Sequence, residues 1–106
     1  MTYDNKDITS GLALFEKDFG LDVSYLDLAN QPDFSYDQAY LKIMRVVEDL
    51  MERDFNALIN VLYRIDVSEQ KLKAALAITN DNPAAIITKM ILERELQKVA
   101  TRKKYS

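Results

Sequence analysis

Gly11, Gly20, Pro32 and Pro83 are all the glycine and proline in a chain of 106 residues. Sheets need tight turns at short intervals, and those turns draw on residues that tolerate positive φ or fix φ in advance. So few of them implies long helices joined by few loops, and the expected fold class is all-α. The length suits one domain that can bury a single core without staples. Apolar residues make up 48% and charged residues 29%, a balance that supports a packed core and excludes a disordered chain.

Periodicity places the helices. Ile8, Leu12, Phe15 and Phe19 recur at helical spacing, and Gly20 stands where a glycine usually ends a helix. Val23 to Leu28 adds a helical turn before the breaker Asn30-Gln31-Pro32. Residues 1–32 thus read as an N-terminal arm, attached more loosely than the core of 33–106 and able to act as a lid. Ser35 with Gln38 forms a capping box that opens a helix at Tyr36. Its inward stripe is Ala39, Tyr40, Ile43, Val47, Leu50 and Met51, opposite Lys42, Arg45, Glu48, Asp49 and Glu52. The pattern resumes with Phe55, Leu58, Ile59, Leu62 and Ile65, displaced by roughly 60°, the drift a supercoiled repeat accumulates. One continuous helix over 36–65 is the expectation. The alternative is a break at Glu52 or Arg53, with Asp54 capping a second helix.

Two signals overlap at the next boundary. Asp66 with Glu69 makes one capping box; Ser68 is the other candidate cap, with Val67 and Leu72 at the positions of a hydrophobic staple. Either starts a short helix through Leu72, Ala75, Leu76 and Ile78, ending at Thr79, Asn80 and Asp81. Asn82 and Pro83 then supply the cap and first position of the last helix, expected over 83–102. The predicted architecture is a four- or five-helix domain, bundle-like or orthogonal, with one long central helix and a core between 36–65 and 83–102.

The last helix changes character along its length. From Ala84 to Leu92 apolar residues cover nearly the whole circumference, which calls for burial on several sides. Leu92, Leu96 and Val99 can face the long helix, leaving Ile86 and Met90 in need of another cover. Phe15 and Phe19 of the arm are one candidate; a subunit or partner helix is the other. Arg94, Lys98 and Arg102 form an i, i+4, i+8 row. Charge is polarised along the chain: residues 1–40 carry −6 and residues 89–106 carry +4, within a net −3. Attraction between the chain's own ends and placement at helix termini explain this in one way; a basic tail that meets an acidic partner explains it in another.

Chemistry is restricted by the absence of histidine and cysteine, which removes the usual group titrating near neutrality, thiolate nucleophiles and soft metal ligands. Glu48 and Glu52, with Asp49, are clustered carboxylates of the kind hard cations bind, but solvated surface acids look the same, and no Glu-x-x-His pair accompanies them. Ser68 and Lys71 spell a Ser-x-x-Lys string, for which capping is the simpler account. Arg64 can clamp a carboxylate across the turn at Asp66, with Tyr63 beside it, as a lock between helices or, with Arg94 and Gln97, as a polar recognition spot.

The strings LYRIDVSE (62–69) and ILERELQK (91–98) resemble segments that recur in small, uncharacterised bacterial all-helical proteins. The resemblance covers these two eight-residue strings and implies a self-contained helical domain and a bacterial source. It implies no activity and transfers no functional residue.

The functional expectation is a non-catalytic protein-interaction or regulatory module, without cofactor or metal, whose contact residues are Ile86, Met90, Arg94, Lys98 and Arg102. Homodimerisation is one form this takes. The runner-up is an accessory nucleic-acid binder that uses Lys98, Arg102, Lys103 and Lys104 with Tyr105. It is set back by a pI near 4.9 where nucleic-acid footprints are usually basic. No stretch approaches the ~20 apolar residues that span a bilayer, and the acidic beginning lacks a secretory apolar run, so a cytoplasmic location without membrane partners is expected.

Overall fold

Five helices make up the described part of the chain: α1 (Asn5–Asp18), α2 (Tyr36–Arg53), α3 (Phe55–Arg64), α4 (Glu69–Ile78) and α5 (Pro83–Tyr105). The computed structural model describes residues 3–21, 34–78 and 82–105. Two expectations, the helical turn at Val23–Leu28 and the breakers at 30–32 and 79–81, lie outside the described residues.

Side chains set most of the boundaries. Asp4 accepts from the Asp7 amide while Asp7 reaches back to the Asp4 amide, a capping box that starts α1. Ser35 and Gln38 form the reciprocal pair at α2, as their spacing predicts. Phe34, just before that cap, is fully buried, and its amide donates to Thr9 Oγ1 at 3.0 Å, which ties the start of α2 to α1. Asn82 Oδ1 accepts from the Ala84 amide at 2.9 Å, with Pro83 at the first position of α5. Gly20, at φ +64°, closes α1: its amide and that of Leu21 return to Lys17 O and Glu16 O.

Ser68, not Asp66, caps α4: its Oγ accepts from the Lys71 amide at 3.2 Å. Asp66 belongs to the end of α3 instead. It sits in the left-handed region at φ 63°, its amide donates to Tyr63 O, and the Val67 amide donates to Leu62 O. These are the two bonds of a Schellman closure, with an aspartate in the place usually held by glycine.

The expected continuous helix over 36–65 is broken. Asp54, at φ −155° and ψ 76°, ends α2 and caps α3, its side chain accepting from the Ala57 amide at 3.1 Å. The break keeps the chain within the dimensions of the fold. Thirty helical residues run to about 45 Å, whereas the longest dimension of the fold is 35 Å. The aspartate satisfies the amides freed at the kink, and the 60° offset between the two stripes belongs to two helices with separate axes rather than to one supercoil.

α5 takes the central place expected of the longer helix. α1, α2 and α4 pack on it, and α3 packs on α2. One apolar cluster draws on all five helices, with Ile8, Leu12, Phe15, Ile43, Leu58, Ile91 and Leu92 essentially sealed from water. α1 is a full member of this core. Its Gly11 lets the backbone approach α5 closely, because a Cβ there would stand 3.2 Å from Leu96 Cδ2. Among the described residues no helix is long and apolar enough to cross a membrane.

Candidate functional site

The five residues read from the sequence as a contact strip do not share one face. Steps of four residues overshoot a helical turn by about 40°, so Ile86 and Arg102 differ by about 160° around α5. Ile86 and Met90 are half-buried, near the start of the helix where Tyr40 Oη donates to Ala85 O at 3.2 Å. Met90 lines a shallow groove with Arg94, Gln97, Asp66, Ser68 and Lys71. Lys98 turns toward α1, and Arg102 stands on a different groove between α1 and α5. α1 reaches α5 along its second half, at Glu95, Leu96, Lys98 and Lys103.

Arg94 acts as a lock. Its Nε donates to Ile65 O at 2.8 Å, and its guanidinium lies 3.9 Å from Asp66 and 3.4 Å from Gln97 Oε1, so α5 holds the α3–α4 corner through a backbone carbonyl that helix termination leaves open. Arg64, which the sequence placed across this turn, donates to Asp18 O at 3.3 Å and clasps the end of α1 instead. The opposed charges of the chain's two ends meet within the fold: Lys103 pairs with Asp7 at 2.6 Å and Lys98 with Asp18 at 2.8 Å.

Behind that clasp lies a buried carboxyl. Glu95 is 0% exposed, with Lys98 Nζ at 3.2 Å and Asp18 beside it. Burial chiefly, and then the neighbouring Asp18, push its pKa up to about 7, against the downward pull of Lys98. A group poised near neutrality suits proton transfer, but this one has no face to solvent through which a substrate could approach. Asp49, of the carboxylate group at 48–52, is held by Arg53 at 3.0 Å. Among the described residues no group of three histidine, cysteine, aspartate or glutamate side chains is placed to hold a metal ion.

Sequence reasoning missed a second surface. Phe55 and Leu76, read as inward, and Tyr63 rim an apolar groove of about 190 Å³ between α3 and α4, with Leu62, Leu72 and Ile87 also lining it. Phe55 is 50% exposed and Tyr63 is 63% exposed, and beyond the groove Ile78 of α4 is 87% exposed. α4 buries only Leu72 and leaves Leu76 and Ile78 exposed. Four of the seven large apolar side chains exposed among the described residues belong to α3 and α4, which places the excess on one region. Tyr63 Oη donates to Glu69 at 2.9 Å, and Glu69 pairs with Lys73 at 3.0 Å along the rim. The sequence signal was present in the apolar second half of α4, where Ala74, Ala75, Leu76, Ala77 and Ile78 follow one another without a polar residue.

No known protein family, curated protein or solved structure matches this chain.

Proposed function

We propose that this chain is a non-catalytic protein-interaction module of the bacterial cytoplasm that works as a homodimer joined through α3 and α4. The observation that carries the reading is the concentration of exposed Phe55, Tyr63 and Leu76 around one apolar groove. Contiguous apolar surface of this kind is the usual mark of a contact site. A second copy is the proposed occupant because the exposed side chains and the groove that would take them lie on the same surface. It presents protruding rings and a receiving groove side by side, and a two-fold axis sends each into the other, as isologous contacts require. The sealed position of Glu95 supports a role without catalysis, and the resemblance of residues 62–69 and 91–98 to bacterial helical proteins supports the source.

Sedimentation equilibrium of the wild type and of Phe55→Glu and Leu76→Glu tests this. The wild type is expected to sediment as a dimer in the micromolar range and both variants as monomers, with unchanged helical circular dichroism because these side chains contact solvent already. A monomeric wild type, or dimeric variants, refutes the proposal.

A further inference from the structure

The last two turns of α5, about seven residues, and the outer face of α1 form another groove, separate from α3 and α4. Its floor is Leu14 and Val99, both nearly buried, with Ala13 and Ser10 on the α1 wall. Lys17, Arg102 and Lys103 stand around it, and among the described residues no carboxylate lines it, in a molecule whose net charge is −3. Lys103 is held by Asp7. Lys17 and Arg102 are exposed and form no ion pair among the described residues. Helix-end placement accounts for each cation singly. It does not account for their convergence over an apolar floor.

We infer that this α1–α5 groove is the docking site for an acidic amphipathic helix of a protein partner. From Ser10 to Lys17 the groove wall is about 10 Å long, two helical turns. A bound helix can therefore place apolar side chains at i and i+4 on Leu14 and Val99 while carboxylates on the flanking positions face Lys17 and Arg102. Charge complementarity of this sort sets orientation and speeds encounter more than it adds raw affinity. A nucleic acid fits less well, because the floor is aliphatic and offers no aromatic platform on which a base can stack. An anionic membrane fits less well because Asp4 and Asp7, at the start of α1, lie beside the Lys103 end.

The test uses the full chain and a labelled synthetic helix of roughly four turns, with leucine along one face and glutamate on both flanks, read by fluorescence anisotropy. A peptide of the same composition with the leucines scattered serves as the control. Saturable binding of the amphipathic peptide alone is expected, weakened by salt and reduced about tenfold or more by Lys17→Glu with Arg102→Glu. Ala13→Gln, which narrows the groove without changing charge, is expected to weaken it as well, whereas Leu76→Glu leaves it intact even where it abolishes the dimer. The inference is overturned by equal binding of the scattered peptide, by no binding, or by indifference to the charge reversal. It is equally overturned if binding follows Leu76→Glu, or if a single-stranded oligonucleotide or phosphatidylserine vesicles bind more tightly than the peptide.

Discussion

Glu95 shows how far one residue's chemistry can depart from its place in a sequence. In the string from Arg94 to Lys98 it is the one acid, with a cation at either end, yet α1 closes over it and leaves it with Lys98 at 3.2 Å and a second carboxyl, Asp18, alongside. Its pKa rises from an ordinary 4.5 to about 7, so the folded chain binds the extra proton between those values. A raised acid pKa means stability that is complete below about pH 4.5 and lost as pH climbs to 7, with a penalty on the order of 3 kcal/mol above it. Glu95→Gln is therefore expected to leave stability near pH 4.5 little changed and to exceed the wild type at pH 8 by a few kcal/mol. Urea denaturation at the two pH values measures this. Equal stabilities at pH 8 would show that the carboxyl stays ionised without cost.

At the scale of elements, capping chemistry decided the boundaries, and the closing of α3 decided between rival caps for α4. Ser35 and Asn82 were readable in advance, and Ser68 as one of two rival caps, because each has an acceptor oxygen at the right distance from an orphan amide. Asp54 was readable only as an alternative, since its neighbours on both sides continue an apolar rhythm. Its side chain holds the Ala57 amide at 3.1 Å, so Asp54→Ala is expected to cost about 1 kcal/mol, the usual loss for a removed cap. A chemical denaturation midpoint lowered without a change in slope is the expected signature. An unchanged midpoint would mean that water caps α3 as well as the aspartate does. Asp66 and Glu69 illustrate the reverse case: the capping-box spacing was present, but Asp66 was already committed to closing α3.

For the molecule as a whole, the packing of α1 is the decisive feature. α1, the described helix of the arm expected to sit loosely, contributes Ile8, Leu12 and Phe15 to the same cluster as Ile43, Leu58 and Ile91, and ion pairs bind its two ends to α5. Leu12→Ala removes a fully buried side chain and is expected to cost about 2–5 kcal/mol. The loss should appear as one lower thermal transition followed alike by far-ultraviolet circular dichroism and tyrosine fluorescence. A separate early transition confined to part of the helical signal would show that α1 melts on its own. Part of the polarised charge that suggested a partner for the basic end is used inside the molecule, at Asp7–Lys103 and Asp18–Lys98, while Lys17 and Arg102 stay exposed beside the α1–α5 groove.

The helical class, the starts of α2 and α5, and the apolar positions that became Ile43, Leu58 and Leu92 in the core were legible from residue types and spacing. These depend on forces acting within one or two turns, namely amide capping, glycine and proline geometry, and the alternation of apolar and polar faces. The surfaces were not legible. Whether Phe55 and Leu76 end inside or outside depends on how far α3 and α4 extend past the core, and whether Lys98 is free or paired depends on where α1 lands. Both are matters of which distant segments come to rest together, and spacing along a chain carries no record of that distance.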